Sequence, residues 1–191
     1  MGSDKAPLIE FFCARSPRRV RAAKKAWEER HDTSLVDRIS SELASLFTKS
    51  PLRALCLQLL KGHRSRADGD TAADEGTAGE CAARLHHAEE SPAEVFSEVL
   101  GNASPAQAAA IAAAYEDAYD RSLRKCIEAN FSGGYRNALL ALAGADPVDW
   151  FAARLRSALK SFSTADRTVC RVLGTHDKRE ILAIAAAYDR K

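Results

Sequence analysis

The sequence predicts an all-α protein built from repeats, and three observations lead to that expectation. Alanine accounts for 37 of the 191 residues and aromatic residues for 7%, a composition that favours closely packed helices over sheets. Apolar residues recur at helical spacing in successive segments, and no segment alternates as a half-buried strand does. Several segments also recur along the chain, which is typical of a repeat array.

Two offsets relate the repeated segments. At 73 residues, Ala110–Tyr115 recurs identically as Ala183–Tyr188, and Val99–Gly101 recurs as Val172–Gly174. At 88 residues, an earlier copy matches at turn, cap and apolar positions: Ser16-Pro17 with Ser104-Pro105, Trp27 with Tyr115, His31 with Tyr119, Asp32 with Asp120, Ser34 with Ser122, Leu35 with Leu123, and Ile39 with Ile127. These joint matches predict a unit of about 70 residues.

Four helices are expected in the first third of the chain, at 8–14, 17–30, 35–43 and 51–62. The second carries Val20, Ala23 and Trp27 at helical spacing. Thr33 or Ser34 can cap the third. A proline begins the fourth and a glycine ends it, which is the usual asymmetry of helix ends.

The middle of the chain opens with a polar, glycine-rich segment at 63–79, which predicts a linker, and helical signals resume near Glu80. Ser91-Pro92-Ala93-Glu94 predicts a helix start, with a cap, a proline at the first position and a glutamate three residues after the cap. Gly133-Gly134 predicts a turn. The remaining predicted helices are 94–101, 105–118, 121–131, 135–143, 147–160, 164–174 and 177–190.

The order of these elements resembles the annexin core, which repeats a unit of five helices, A to E. Residues 94–142 follow the order of the third annexin repeat, with a C helix ending in Tyr-x3-Tyr and an E helix of type ALLAL. Residues 147–173 resemble the start of the fourth repeat, and residues 8–43 resemble the second from its B helix on. The resemblance implies an annexin-like helical repeat array of five-helix units, incomplete at both ends.

The resemblance also implies a domain organisation in four parts. Residues 1–62 form a repeat that lacks its first helix, 63–79 a polar linker, 80–145 a complete repeat, and 146–191 the first three helices of another repeat. A cut repeat array leaves apolar faces uncovered. Self-association or a protein partner is therefore one expectation.

The function implied by the resemblance is peripheral, calcium-dependent binding to anionic phospholipid membranes in the cytoplasm. In annexins the cation sits in the A–B loop, in the pattern [Met/Leu]-Lys-Gly-x-Gly-Thr, and an acid between helices D and E completes the site. Calcium prefers six to eight oxygen ligands, and glycines let backbone carbonyls converge on it. The cofactor implied is Ca²⁺.

The calcium pattern is degenerate in every unit. In the third repeat, the loop at 87–91 contains no glycine, and Asn130 occupies the position of the acid. In the second repeat, Glu42 occupies that position, although extra residues at 44–51 put its geometry in doubt. The alternative function is therefore a calcium-independent interaction scaffold that kept the annexin fold.

The fourth repeat keeps the most of the pattern, in the loop at 159–164, where serines replace both glycines. Together with Glu42, the candidate metal ligands are Leu159, Ser161, Ser163 and Thr164. The candidate membrane contacts in this loop are Lys160 and Phe162. Simple helix capping is the other interpretation of the two serines.

A second candidate membrane contact is basic. Residues 15–25 carry six basic residues and no acid, and Arg18, Arg21 and Lys25 are expected to share a helix face. Such a stripe can meet anionic headgroups, or it can be a solvated face paired with neighbouring acids. Nucleic acid is not an expected partner, because the net charge is only +2.

Catalysis is not expected. No glycine-rich phosphate loop follows a strand, and no GxSxG or HExxH motif occurs. Cys81 and His86-His87 are poorly spaced for a metal, so the histidines are expected to be exposed at a helix end. The repeat-equivalent aromatic residues Tyr115, Tyr119, Tyr188 and Trp27 predict core packing, and the five scattered cysteines predict reduced, mostly buried thiols.

Overall fold

The computed structural model describes residues 6–15, 17–44, 50–60, 73–144, 146–160 and 166–190. All regular structure in these residues is α-helical, which confirms the predicted fold class. The helices are α1 (Ala6–Ala14), α2 (Pro17–His31), α3 (Leu35–Ala44), α4 (Pro51–Leu60), α5 (Glu75–His86), α6 (Pro92–Asn102), α7 (Pro105–Tyr119), α8 (Leu123–Asn130), α9 (Gly133–Ala143), α10 (Pro147–Lys160), α11 (Asp166–Thr175) and α12 (Lys178–Asp189).

The chain divides into two compact units, Met1–Ala145 and Asp146–Lys191. In the first unit, α5 packs against α7, α1 against α9, and α4 against α6. In the second unit, α10 packs against both α11 and α12. There, Arg190 pairs with Asp149 at 3.3 Å, and the Phe151 ring lies 4.3 Å from that of His176.

Helices α5–α9 form one five-helix bundle around an aliphatic core. The side chains at its centre are at most 1% exposed: Leu100, Ile111, Leu123, Ile127, Leu139 and Leu142. Complete burial of one such side chain contributes about 1.5–3 kcal/mol. This core holds the helices on either side of the α5–α6 loop and of the α8–α9 turn.

Helices α5 and α7 run side by side in the same direction. At their first turns, the Asp74 amide donates to Gln107 Oε1 at 2.8 Å, and Gln107 Nε2 donates to the Asp74 carbonyl at 3.0 Å. At their last turns, the rings of His86 and Tyr119 stack with centroids 3.7 Å apart. The start of α7 therefore lies at the end of the bundle opposite the loop that follows α5.

Helices α5 and α9 begin earlier than predicted. Helix α5 begins at Glu75 rather than near Glu80, because the Asp74 carboxylate accepts from the Thr77 amide at 3.1 Å and caps the helix earlier. The same hydrogen bonds lower the pKa of Asp74. Gly133 is the first residue of α9 rather than part of a separate turn, at φ +60°. The prediction that 63–79 is wholly linker thus fails for its last residues.

The predicted side-chain cap at Ser91 is absent. The backbone carbonyl of Ser91 accepts from the Glu94 amide at 3.1 Å, and its hydroxyl makes no capping hydrogen bond. A reciprocal capping box forms instead at α12, where Asp177 and Glu180 each accept the other's backbone amide. Both segments carry an N-cap residue followed three residues later by Glu, so the motif alone does not distinguish them.

Two helix ends reproduce the 88-residue repeat in backbone geometry. Asp32 after α2 and Asp120 after α7 both have φ +48°, and they are the only non-glycine residues with positive φ in the described part of the chain. This left-handed conformation ends a helix, and aspartate tolerates it better than most residues. Helices α2 and α7 are therefore equivalent elements of two repeats.

The thiols follow the predicted pattern only in part. All five cysteines are free, and Cys13, Cys56 and Cys126 are buried. Burial raises the pKa of the Cys56 thiol to about 12. Cys81 is half-buried and Cys170 is exposed, so two of the five cysteines depart from the expected buried position.

Candidate calcium and membrane-contact loops

The loop between α5 and α6 and the turn between α8 and α9 lie at the same end of the five-helix bundle. The Tyr135 hydroxyl, in the first turn of α9, donates to the Ala93 carbonyl in the first turn of α6 at 2.6 Å. It also lies 2.7 Å from the Ser97 hydroxyl. The Phe131 ring, in the turn itself, lies 4.9 Å from the Phe96 ring. Two segments far apart in sequence are thereby held together.

The loop at 87–91 does not offer the carbonyl cradle that calcium needs. The His87 amide donates to the Ala83 carbonyl at 3.0 Å, and the Glu89 amide donates to the His87 carbonyl at 2.9 Å. The loop contains no glycine, and its two acids, Glu89 and Glu90, are exposed. Without glycine, converging carbonyls require strained backbone.

Asn130 supplies no carboxylate to this loop. Its Nδ2 donates to the Cys126 carbonyl at 2.9 Å, within its own helix, and lies 3.5 Å from the Cys126 sulfur. The side chain is neutral, whereas a calcium site of this kind takes a bidentate acid. The residues of the third repeat therefore do not fit a calcium ion.

An aromatic cluster lies beside the loop at 87–91. His86 stacks on Tyr119, and its Nδ1 lies 3.4 Å from the Tyr115 hydroxyl. The pKa of Tyr115 is raised to about 12, mainly by burial and secondly by a hydrogen bond to Cys126. His86 is exposed, as predicted, but its stacking on Tyr119 could not be recognised from the sequence.

The predicted core role holds for only one of the four repeat-equivalent aromatic residues. Tyr115 is 2% exposed. Tyr119, Tyr188 and Trp27 are half-buried, which corrects the prediction for them. The half-buried rings pack on polar neighbours instead: Tyr119 on His86, Tyr188 under Arg156, and Trp27 on His31.

Glu42, the candidate acid of the second repeat, lies on the exposed side of α3. Its carboxylate pairs with Arg38 one turn earlier at 2.7 Å, and both side chains are about half exposed. An exposed i,i+4 pair stabilises a helix by only about 0.3–0.5 kcal/mol. Glu42 is therefore accessible but engaged within its own helix.

The fourth-repeat loop begins at the end of α10. Leu159 is 52% exposed and Lys160 is exposed. The predicted residues Ser161, Phe162, Ser163 and Thr164 lie outside the described residues. An exposed leucine next to a lysine is the pair of side chains expected where a loop meets a lipid surface.

The predicted basic stripe on α2 is rearranged in the structure. Arg18 and Lys25 are exposed, as expected. Arg21 is only half-buried and so is less accessible than its spacing predicts. Arg19 and Arg30 are exposed as well, although Arg19 and Arg21 both interact within the chain. The exposed basic side chains of α2 are therefore not the three that spacing alone selects.

Neither a cluster of metal ligands nor a membrane-spanning helix is found among the described residues. No group of three or more histidine, cysteine, aspartate or glutamate side chains is arranged to hold a metal ion in the described part of the chain. None of its described helices is long and apolar enough to cross a bilayer.

The chain is similar to known annexins. Residues 80–142 match the family model named Annexin. Annexin A13 of Canis lupus familiaris is 29% identical over 197 residues, which cover all of this chain and 60% of that protein. Annexin B10 of Drosophila melanogaster is 26% identical, with all of this chain and 59% of that protein covered.

Solved structures agree with these sequence matches. Annexin III superimposes with a TM-score of 0.86 at 25% identity, over all of this chain and 59% of that one. Calcium-bound annexin (Sm)1 superimposes with a TM-score of 0.81 at 22% identity, over all of this chain and 57% of that one, which shows the shared fold. The chain thus spans about three fifths of the length of the relatives it matches. Residues 80–142 thus match the annexin family model, and the whole chain is similar in sequence and fold to annexins.

Proposed function

We propose that this chain binds anionic phospholipid surfaces peripherally and in a calcium-dependent manner, through the loop at 159–164. The observation that carries the proposal is the exposed Leu159 beside Lys160 at the end of α10, where the family resemblance puts the first residues of a calcium loop. The leucine would enter the headgroup region while the lysine stays at its surface.

The third repeat takes no part in calcium binding in this proposal. Asn130 is neutral and hydrogen-bonded within α8, and the loop at 87–91 lacks glycine. A single degenerate loop implies weak affinity, with a dissociation constant for calcium of about 10⁻⁴–10⁻³ M, which is weaker than that of calcium-sensor proteins.

The test is co-sedimentation with phosphatidylserine vesicles at millimolar-scale calcium or in chelator, for the unmodified chain and Leu159→Ser. The calcium-dependent pelleted fraction is expected to appear for the unmodified chain and to need about tenfold more lipid in the variant, since partial burial of one leucine is worth about 1.4 kcal/mol.

Leu182→Ser is the matched control, because Leu182 is a comparably exposed leucine of the same unit, on α12. Equal losses in the two variants would assign the effect to lost apolar surface in general. Absence of any calcium-dependent pelleting would contradict the proposal.

The second candidate function is a calcium-independent interaction scaffold, favoured by the third-repeat loop that does not fit calcium. Calorimetric titration separates the two functions. A measurable heat of calcium binding, together with calcium-dependent pelleting, supports the membrane function. A flat calcium titration, with no pelleting, supports the scaffold.

A further inference from the structure

We propose that the exposed face of α2 is a second binding surface, which takes an anionic lipid surface without calcium. This surface, called the basic face below, consists of Arg18, Arg19, Lys25 and Arg30. It is separate from the loop at 159–164 and does not depend on the function proposed for that loop.

The composition of the basic face favours contact with a surface. The exposed positions of the first 14 residues of α2 hold the four basic residues, the small residues Ala22 and Ala26, and a single acid, Glu29. The alanines let the helix approach closely, and the long basic side chains extend on either side. At 1.5 Å per residue, the face extends about 18 Å from Arg18 to Arg30.

Within α2, Lys25 of the basic face has only a weak ion pair, and Arg19 already has an interaction within the chain. Lys25 and Glu29 are 3.7 Å apart, with side chains 79% and 66% exposed, so they interact weakly. Elsewhere the chain places acids one turn after its arginines at 2.7–3.0 Å, as in Arg38–Glu42 and Arg124–Glu128. The position one turn after Arg18 holds Ala22.

The charge order along α2 also runs against helix electrostatics. The first turn has no acidic residue and contains Arg18 and Arg19. Positive side chains at a helix N-terminus repel the positive end of the helix dipole, whereas an external anion there is attracted to both. The order of charges at this end of α2 thus favours an anionic surface bound there.

The repeat relation places this end of α2 away from the loops of its own repeat. Helix α2 is equivalent to α7, and both end in an aspartate at φ +48°. The start of α7 lies at the bundle end opposite the loop at 87–91, because Gln107 bonds to Asp74 there. The start of α2, with Arg18 and Arg19, is therefore at the end of its repeat opposite the calcium-loop end.

The chemistry of the face favours lipid headgroups over single-stranded nucleic acid. Nucleic-acid binding of that kind adds aromatic side chains on which bases stack. The aromatic residue of α2, Trp27, is half-buried, and its ring packs on His31 with centroids 4.1 Å apart. A face of spaced cations without an exposed ring fits mobile anionic headgroups.

The experiment is co-sedimentation of the full chain with phosphatidylserine vesicles in chelator, at low and at physiological salt. The unmodified chain is compared with R18Q/R19Q/K25Q/R30Q and with a control that removes four exposed basic residues of other helices, K125Q/R167Q/K178Q/R179Q. Each basic residue near an anionic surface strengthens binding by about fivefold. The basic-face variant removes four such residues and is therefore expected to lose about 600-fold in partition coefficient, and the control much less.

Three results would overturn the inference: no pelleting of the unmodified chain in chelator at low salt, equal losses in both variants, or retention of a labelled single-stranded oligonucleotide but not of vesicles. Circular dichroism checks that both variants remain helical. Calcium-dependent pelleting at high salt, where the basic face is screened, reports on the 159–164 loop separately. Failure of one surface is thereby distinguishable from failure of the other.

Discussion

At the scale of single residues, Tyr135 has the clearest structural role. It lies almost entirely inside the five-helix bundle, and its hydroxyl joins the start of α9 to the Ala93 carbonyl and the Ser97 hydroxyl of α6. Burial raises the pKa of this phenol, which keeps it neutral and able to donate. This one side chain sets the position of the α8–α9 turn relative to the loop at 87–91.

Replacing Tyr135 with phenylalanine is expected to lower the free energy of unfolding by about 1–3 kcal/mol. The ring stays in place, but the Ala93 carbonyl and the buried Ser97 hydroxyl lose their partner. Urea denaturation followed by circular dichroism measures the change.

Tyr119→Phe is the matched control, since the Tyr119 ring stacks on His86 and its hydroxyl makes no hydrogen bond among the described residues. Its expected change is below about 0.5 kcal/mol. Adding Ser97→Ala to Tyr135→Phe should cost less than the sum of the two single changes. Additive losses would show that the Ser97–Tyr135 hydrogen bond has no energetic weight.

At the scale of the helix, α2 and α7 end at Asp32 and Asp120 in the same left-handed conformation. The effect of this conformation on stability can be measured at Asp120. At Asp120, glycine is expected to give a more stable protein than alanine by about 1 kcal/mol, because alanine carries the steric penalty of positive φ. Thermal or urea unfolding of the two variants measures the difference.

Asp117, exposed inside α7, gives the control with the opposite sign. There the alanine variant is expected to be the more stable by about 1 kcal/mol, since glycine weakens a helix interior. The same order at both positions would mean that the left-handed end of α7 is not maintained in solution.

Helices were the most predictable elements, and their ends the least. Apolar periodicity and the prolines located every helix to within a few residues, because burial of an amphipathic face decides where a helix forms. The start of α5 was missed because a single capping aspartate, Asp74, outweighed two glycines and two threonines nearby. Gly133 suggested a turn and instead supplies the positive φ with which α9 begins.

The candidate site was predictable in its position along the chain but not in its side-chain contacts. The lack of glycine at 87–91 and the neutral Asn130 could both be recognised from the sequence. The stacking of His86 on Tyr119 and the partial burial of Arg21 depend on packing between helices, and the hydrogen bond of Asn130 to its own helix is a choice of side-chain conformation. Spacing along one helix carries no information about that packing.

At the scale of the whole molecule, the proposed calcium dependence rests on one loop. A single site binds without cooperativity, so vesicle binding against calcium concentration is expected to give a Hill coefficient of about 1. The curve should keep its midpoint in Asn130→Ala, because that residue is turned into its own helix. A steeper curve, or a shifted midpoint in that variant, would assign calcium to the third repeat.

The division at residue 145 has a spectroscopic consequence. The chain has two tryptophans, and each compact unit holds one: Trp27 in Met1–Ala145 and Trp150 in Asp146–Lys191. Replacing either with phenylalanine leaves a single tryptophan, whose selectively excited fluorescence reports on one unit alone. The unfolding of the unit Met1–Ala145 and of the unit Asp146–Lys191 can thus be followed as separate optical signals, without an added label.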